Sequence, residues 1–321
     1  MRSISIPGQH VYNEQSFPFV INGPNGTLKD CCNWAKEVAG ELSHAAFNHG
    51  AVLIKGLPLN TPEHFDAIIR SFDLPNFSYA ESMSNAYRIN FTDRVFSANE
   101  APSNITIFLH HEMAQTPMHP SKLFFFCQTA PKTGGATPIC RSDILWNRLR
   151  DLDPKFAETC LNKGLRYSNV MPTKTDELSG MGRCWKNTLN SNTRADAESR
   201  LNELGYTWEW EPNGDLRTTT PTLPAVRNLG DGRSSFFNQL IAAFKGWKDT
   251  RNHAENSVTF GDGTLLDSMQ IESASSIADE ITFDINWEPG DLVLIDNYVS
   301  MHGRHSFEGD RKVLASLVSS D

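Results

Sequence analysis

Two hydrophobic patterns alternate along the first quarter of the chain. Apolar side chains recur at helical spacing through residues 27–50, where Thr27 stands in the N-cap position and Gly50 marks the end of the helix. Residues 51–56 are mostly apolar and predict a short buried strand. A threonine followed by a proline then opens a second helix over residues 61–72. The pattern therefore predicts helix, strand and helix in that order.

The rest of the chain changes character twice. Residues 87–141 carry strand-like runs, including the segment Leu123-Phe-Phe-Phe-Cys127. Residues 142–205 are helical in pattern, and the sequence after them is strand-like again, with a core strand at 292–295. The helices expected in the insert cover residues 143–152, 154–163 and 194–204. We expect one domain over residues 1–321, mainly β with helical additions, in which a double-stranded β-helix (jelly roll) carries an inserted helical lid.

Composition and charge argue against several classes of partner. The 321 residues are 39% hydrophobic and 21% charged, with a net charge of −9 and no basic run, which argues against binding to nucleic acid or to an anionic membrane. No apolar run has the length of a membrane-spanning helix, and the first residues lack the apolar core of a secretory signal. The six cysteines include no CxxC pair, so we expect reduced thiols in a cytoplasmic protein. These patterns do not determine the oligomeric state.

The strongest chemical signal is the segment Ile105-Thr-Ile-Phe-Leu-His-His-Glu-Met113. In an extended strand, side chains two positions apart point the same way, so His110 and Glu112 are predicted to share a face. The later His302, which follows the core strand, could supply a third ligand. Two histidines and one carboxylate on one face of a metal leave other positions open, an arrangement typical of non-haem Fe(II) oxygenases.

Neighbouring histidines leave two alternatives open within this set. His111 could replace His110, but its face of the strand would then carry Met113 instead of a carboxylate. His305 could replace His302, although His302 lies nearer the apolar strand and directly before a glycine, where a crowded backbone is tolerated.

A second group of residues suits a dicarboxylate. The segment that contains His302 continues through a predicted turn at 307–310 and returns as a strand from Arg311, so a hairpin would place Arg311 near His302. An arginine fork binds a carboxylate at two points, and Thr137, which follows Gly134-Gly135, could add a hydroxyl group. The alternatives are a surface ion pair for Arg311 and an ordinary strand position for Thr137.

Several of these segments together resemble one family. The chain resembles the taurine dioxygenase (TauD/TfdA-like) family of Fe(II)/2-oxoglutarate-dependent oxygenases, and within it the clavaminate-synthase-like branch of natural-product enzymes. The matching segments spread over most of the chain and include Gly50-Ala-Val-Leu-Ile-Lys-Gly56, Leu109-His-His-Glu-Met113, Gly134-Gly-Ala-Thr137, Phe236-Phe-Asn-Gln239, Asp296-Asn297, His302-Gly-Arg304 and Phe307-x-Gly-x-Arg311. One departure is His111, where the family pattern leads us to expect a small or polar residue.

The resemblance implies a role for each part of the site. It implies that His110, Glu112 and His302 bind Fe(II), and that Arg311 and Thr137 bind the distal carboxylate of 2-oxoglutarate. The implied reaction uses O2 to oxidise an unactivated C–H bond of a small, carboxylated or amino-acid-derived metabolite, by hydroxylation, desaturation or ring closure, with release of succinate and CO2. The residues that could face this primary substrate are Arg217, Asn238, Gln239, Tyr298 and Arg304.

Two other functions fit the same residues. A jelly-roll metalloenzyme of another class, such as a zinc- or manganese-dependent hydrolase or isomerase, would bind metal without depending on 2-oxoglutarate. A non-catalytic, ligand-binding jelly roll would bind no metal at His110, Glu112 and His302.

Overall fold

The computed structural model describes residues 1–253 and 256–319. The helices of this described part are α1 Leu28–His49, α2 Pro62–Ser71, α3 Ser142–Leu152, α4 Pro154–Lys163, α5 Trp185–Thr188, α6 Arg194–Glu203, α7 Leu240–Gly246 and α8 Ser268–Glu280. The strands are β1 His10–Tyr12, β2 Gln15–Phe17, β3 Phe19–Asn22, β4 Ala51–Lys55, β5 Phe96–Ser97, β6 Ile107–His110, β7 Lys122–Thr129, β8 Thr133–Gly134, β9 Thr137–Arg141, β10 Leu165–Met171, β11 Thr207–Trp210, β12 Leu216–Thr219, β13 Arg227–Asn228, β14 Ser234–Ser235, β15 Val258–Phe260, β16 Thr282–Ile285, β17 Leu292–Asp296, β18 Ser300–Arg304, β19 Phe307–Glu308 and β20 Lys312–Val318. None of these helices is long and apolar enough to cross a lipid bilayer.

Two principal sheets form the centre of the fold. The larger sheet has the strand order β3-β4-β17-β7-β20-β5, and the smaller has the order β16-β9-β18-β6. Neighbouring strands are antiparallel except β3 and β4, which are parallel. Buried apolar side chains from both sheets form one core cluster, which includes Phe125, Ile139, Phe283, Val293 and Ala315. The sheets therefore face each other across a shared core.

The helices α1 and α2 cover the outer face of the larger sheet. Their apolar sides pack on residues of β7 and its neighbours, as the contact of Phe65 with Phe126 illustrates, with ring centroids 5.4 Å apart. α1 begins at a capping box formed by Thr27 and Asp30. It ends at His49 and is capped by Gly50, whose φ of 87° favours glycine. The prediction of helix, strand and helix in this part of the chain is confirmed.

The segment 142–205 contains more than helices. The predicted helices are present as α3, α4 and α6. However, β10 lies between α4 and α5 and pairs with β12 and β15 in a third sheet of order β11-β12-β10-β15. The strand over residues 165–171 is therefore an addition to the predicted helices, and the sequence pattern does not indicate it. The partner strands of β10 come from beyond residue 205, so the local pattern could not reveal the pairing.

The segment after residue 205 also departs from its pattern. The sequence predicts strands there, but α7 and α8 interrupt them. α8 begins after the N-cap Asp267 and buries Ile271, Ala274 and Ala278 at helical spacing. Ser275 and Ile277 are also buried, so three of the five buried side chains are small and the hydrophobic signal of the helix is weak.

We predict that Thr27→Ala destabilises the protein by about 1 kcal/mol, because the variant loses the side-chain acceptor for the Asp30 backbone N–H at the start of α1. Urea denaturation followed by circular dichroism measures the change. Lys29→Ala, at an exposed position of the same turn, is the control. Equal denaturation midpoints for the two variants would contradict the assigned role of the capping box.

Candidate metal centre

The site is built on the antiparallel pairing of β6 with β18. His110 on β6 lies directly opposite His302 on β18, and the two ring centroids are 4.4 Å apart. The strands approach so closely at Gly303 that a Cβ atom there would lie 2.5 Å from the Ile107 carbonyl oxygen. The glycine after His302 is therefore required by the same pairing that brings the two imidazoles together.

The position of Glu112 beside His110 and His302 does not follow from its spacing along the chain. β6 ends at His110, and Glu112 lies in the following turn, where Met113 has a φ of 59°. The Asn297 side chain holds this turn: Oδ1 accepts from the Glu112 backbone N–H at 2.8 Å, and Nδ2 donates to the Glu112 and Pro120 carbonyl oxygens at 3.0 and 2.8 Å. The prediction that strand alternation aligns His110 with Glu112 is therefore wrong, and the contacts of Asn297 position the carboxylate instead.

The three side chains converge on one point. One nitrogen or oxygen atom from each of His110, Glu112 and His302 lies within 4.8 Å of the other two, and His302 Nε2 is 3.5 Å from Glu112 Oε2. His110 Nδ1 lies 2.8 Å from the Phe108 carbonyl oxygen and donates to it, which leaves the Nε2 lone pair for a metal. Two imidazoles and one carboxylate in this arrangement fit a divalent cation.

The protonation of the cluster also suits a cation. Burial, reinforced by the nearby His302, lowers the pKa of His110 to about 3, so this imidazole is neutral at pH 7. Burial alone would raise the pKa of Glu112, but the Arg88 guanidinium and the two histidines outweigh burial and hold that pKa below its usual range. Neutral imidazole and ionised carboxylate are the forms that bind metal.

The alternative histidines lie against other partners. His111 is buried, with its Nδ1 beside the Asn297 carbonyl oxygen and its ring centroid 4.7 Å from that of Phe237. His305 is exposed and pairs with Asp284 at 2.9 Å. Among the residues that the structure describes, neither histidine belongs to the converging cluster.

Arg88 is a residue of this site that the sequence pattern does not indicate. Its Nη2 atom donates to both carboxylate oxygens of Glu112, at 2.9 and 3.1 Å, and only 5% of its side chain is exposed. The guanidinium carbon lies 4.8 Å from the ring centroid of Tyr79 and 5.2 Å from that of Phe96. An arginine in an irregular segment carries no periodic signal, so the folded chain is needed to identify it.

A cavity leads from the cluster to Arg311, and we call it the Arg311 cavity. Its walls include His110, Phe125, Thr137, His302 and Arg311. The cavity therefore joins the candidate metal ligands to the guanidinium group that the sequence assigns to a dicarboxylate.

Hydrogen bonds fix the guanidinium group of Arg311. Nε donates to the Gly135 carbonyl oxygen at 2.9 Å, and Nη2 donates to Thr137 Oγ1 at 3.2 Å. The same Thr137 Oγ1 atom accepts from Trp287 Nε1 at 2.9 Å. Because Thr137 Oγ1 accepts in both contacts, its hydroxyl proton remains available for a ligand. Burial, together with Arg304, lowers the pKa of Arg311 to about 10, so the group is still cationic at pH 7.

The predicted hairpin between His302 and Arg311 is not formed. β18 belongs to the smaller sheet, and β20, which begins directly after Arg311, belongs to the larger sheet. β19 lies between them in sequence and pairs with β8. Both residues nevertheless line the Arg311 cavity, because the two sheets face each other there. The prediction of a hairpin is therefore wrong. Both residues line the same cavity because the two sheets pack against each other.

A second cavity also reaches His110 and Glu112, and we call it the Trp247 cavity. Its walls combine amide and apolar side chains, among them Asn85, Phe108, Gln115, Met181, Gln239 and Trp247. Met181 comes from the segment 142–205, so part of the predicted lid lies at this cavity.

Of the residues predicted to face a substrate, Gln239 and Arg304 lie at the cavities. Gln239 lines the Trp247 cavity and donates from Nε2 to the His111 carbonyl oxygen at 2.9 Å. Arg304 lines the Arg311 cavity. However, both of its Nη atoms donate to main-chain carbonyl oxygens of residues 101, 102 and 105, so this guanidinium group holds a loop.

The other three predicted substrate residues have contacts elsewhere. The Asn238 side chain donates to the Ala225 carbonyl oxygen at 3.0 Å and accepts from the Leu240 backbone N–H at 2.9 Å. The ring of Tyr298 lies 3.7 Å from the Arg227 guanidinium carbon. The side chain of Arg217 is 47% exposed and pairs with Glu211 at 2.8 Å. The structure brings none of these three to the walls of the two described cavities.

Sequence comparison places the chain in a known family. The family described as "Taurine catabolism dioxygenase TauD, TfdA family" matches residues 15–317. The chain is 35% identical over 323 residues to a clavaminate synthase-like protein of Arabidopsis thaliana, with 97% of this chain and 96% of that protein covered. It is 23% identical over 331 residues to the dapdiamide synthesis protein DdaC of Enterobacter agglomerans, with 96% and 95% covered. The chain therefore belongs to the TauD, TfdA family and is an Fe(II)/2-oxoglutarate-dependent dioxygenase.

Solved structures share the overall fold. AAD-2 in complex with Mn(II) and N-oxalylglycine aligns with a TM-score of 0.54 at 14% identity, covering 98% of each chain. Asparagine oxygenase in complex with Fe(II), 2S,3S-3-hydroxyasparagine and succinate aligns with a TM-score of 0.54 at 11% identity, covering 92% of this chain and 83% of that chain. At these identities the likeness establishes a sheet-rich fold with added helices.

We predict that Asn297→Ala weakens the binding of a divalent metal about 10- to 100-fold, because the turn that carries Glu112 loses the hydrogen bonds that hold it. Anaerobic titration with Fe(II), or with Co(II) as a spectroscopic probe, measures the affinity. Asn286→Ala, at an exposed position before β17, is the control. Unchanged metal affinity in a folded Asn297→Ala variant would mean that the turn keeps its shape without this side chain.

Proposed function

We propose that the protein binds Fe(II) through His110, Glu112 and His302 and uses 2-oxoglutarate and O2 to oxidise an unactivated C–H bond of a small metabolite. The observation that carries this proposal is the convergence of the three side chains, two of which, His110 and His302, line one cavity together with a cationic arginine. A metal-binding cluster and a dicarboxylate-binding group in one cavity are what a 2-oxoglutarate-dependent oxygenase requires.

The Arg311 cavity is the proposed site of 2-oxoglutarate. Arg311 and the Thr137 hydroxyl would hold the distal carboxylate, which directs the oxo-acid end of the molecule along the cavity toward the cluster. The ion pairs among the described residues give Arg311 no carboxylate partner, so an anionic ligand would complete its surroundings. Iron and 2-oxoglutarate, when bound, supply the activation of O2, with release of succinate and CO2.

The Trp247 cavity is the proposed site of the primary substrate. Its walls reach His110 and Glu112, so a molecule bound there lies beside the metal ligands. Phe108, Met181 and Trp247 would exclude water, and the loop that contains Met181 (residues 179–182) would act as the lid. The residues of the chain therefore bind, orient and shield the reactants.

The relatives and the fold support further parts of the proposal. The names of the two relatives refer to clavaminate synthase and to dapdiamide synthesis. We therefore propose a carboxylated or amino-acid-derived substrate in natural-product biosynthesis. The structure of this substrate would determine whether the reaction is hydroxylation, desaturation or ring closure. The two facing sheets support a single jelly-roll domain over residues 1–321. The six free cysteines support a cytoplasmic location.

We predict that anaerobic addition of Fe(II) and 2-oxoglutarate gives a weak metal-to-ligand charge-transfer band in the visible range. His302→Ala should abolish the band, because one of the three proposed ligands is lost. His305→Ala should keep it, because His305 is exposed and pairs with Asp284. A protein that binds zinc or manganese but gives no band with Fe(II) and 2-oxoglutarate would instead be a metalloenzyme of another class.

We predict that Arg311→Met raises the dissociation constant of 2-oxoglutarate at least about tenfold, because the distal carboxylate loses its charged partner. Titration of the charge-transfer band with 2-oxoglutarate measures the constant, and excess 2-oxoglutarate should restore succinate formation in part. Arg217→Met, which removes an exposed guanidinium group remote from the cavity walls, is the matched control. Equal constants for the two variants would show that Arg311 does not bind the cosubstrate.

A further inference from the structure

Arg88 has more hydrogen-bond donors than the described residues use. Nη2 is bonded to Glu112, whereas Nε and Nη1 are buried and have no hydrogen-bond partner within residues 1–253 and 256–319. Burial strips water from these N–H groups, which is unfavourable unless another group accepts from them. A role limited to orienting Glu112 would use Nη2 alone and would leave the other donors unsatisfied.

Arg88 lies where the two cavities meet. It lines the Trp247 cavity together with Glu112 and the Arg311 cavity together with His302. The rings of Tyr79 and Phe96, whose centroids lie 4.8 and 5.2 Å from the guanidinium carbon, hold the group in place. A ligand that accepts from Arg88 therefore lies directly beside the candidate metal ligands.

The charges of the Trp247 cavity favour an anionic ligand. Among the described residues that line it, Arg88 is the single permanent cation and Glu112 the single carboxylate. In the proposed holoenzyme Glu112 also neutralises part of the charge of the metal, and 2-oxoglutarate has its own partner in Arg311. The centre then keeps a net positive charge, which a substrate with one negative group would reduce.

We propose that Arg88 is the anion-binding residue of the primary-substrate site, and that the substrate is a small molecule whose carboxylate accepts from the unpaired Nε and Nη1 donors. This inference rests on the proposed function, because it takes the Trp247 cavity as the substrate site. The amide side chains of Asn85, Gln115 and Gln239 suit hydrogen-bonding groups elsewhere in the same molecule. Arg88 thus differs from Arg217 and Arg304, two residues predicted to face the substrate, whose guanidinium groups have other partners.

Matched acids and amides test the inference directly. The probes are N-acetyl-L-amino acids and the corresponding N-acetyl-L-amino acid amides, which differ in the carboxylate alone. Equilibrium dialysis of both pools against the anaerobic Fe(II)/2-oxoglutarate-loaded protein, followed by mass spectrometry, measures which members are retained. The variants are Arg88→Met, which keeps an apolar contact with Tyr79 and Phe96, Arg88→Lys, which keeps the charge, and Arg217→Met as the control.

We expect the wild-type protein and Arg217→Met to retain at least one acid about tenfold or more over its amide. Arg88→Met should lose this preference, and Arg88→Lys should keep part of it. Circular dichroism and metal analysis establish that each variant is folded and loaded. The inference is overturned if acids and amides are retained equally, if neither is retained, or if loaded Arg88→Met keeps the preference. The last result would limit Arg88 to the positioning of Glu112.

The test separates this inference from the proposed function. The charge-transfer band with Fe(II) and 2-oxoglutarate is recorded before any probe is added, so its absence counts against the proposed function alone. A protein that gives the band but does not prefer acids through Arg88 keeps the proposed function and loses the anion site.

Discussion

The antiparallel pairing of β6 with β18 is the interaction on which the site depends. It sets His110 opposite His302 and demands a glycine at position 303, where the strands come closest. Asn297, in the connection before β18, then fastens the turn that carries Glu112. Because the backbone and one amide side chain fix all three groups, the cluster is organised before any metal binds. Loss of the pairing would separate the imidazoles.

Buried charge is the second organising feature of the site. Glu112 is ionised in the core because the Arg88 guanidinium pairs with it. Arg311 is a cation that lines the adjoining cavity, and it is held by Gly135 and Thr137 rather than by a carboxylate. Desolvated cations with unused donors are unfavourable in an empty protein and favourable around anions. The arrangement therefore suits anionic ligands better than an empty site.

Local sequence signals predicted some elements well and others poorly. α1 and α2 were predictable because caps, stop signals and apolar spacing agree within one short segment. The pattern misses β10 because its partners β12 and β15 lie far along the chain, and it misses α8 because three of the five buried side chains of that helix are alanine or serine. The prediction of an extended conformation up to Glu112 is wrong because the strand ends at His110. Interactions between distant segments decided the cases of β10 and Glu112.

The sequence by itself determined the kinds of group available for chemistry. The His-x-Glu segment, the later His-Gly-Arg segment and the arginine at position 311 are specific enough in type and order to indicate the family, which comparison confirms. The tertiary structure alone decided that Asn297 holds the turn, that His302 and Arg311 come from different sheets, and that Arg88 joins the site. Residue type and local periodicity record what each segment can form by itself. Contacts between segments far apart in the chain depend on how the sheets pack, and no local pattern records that packing.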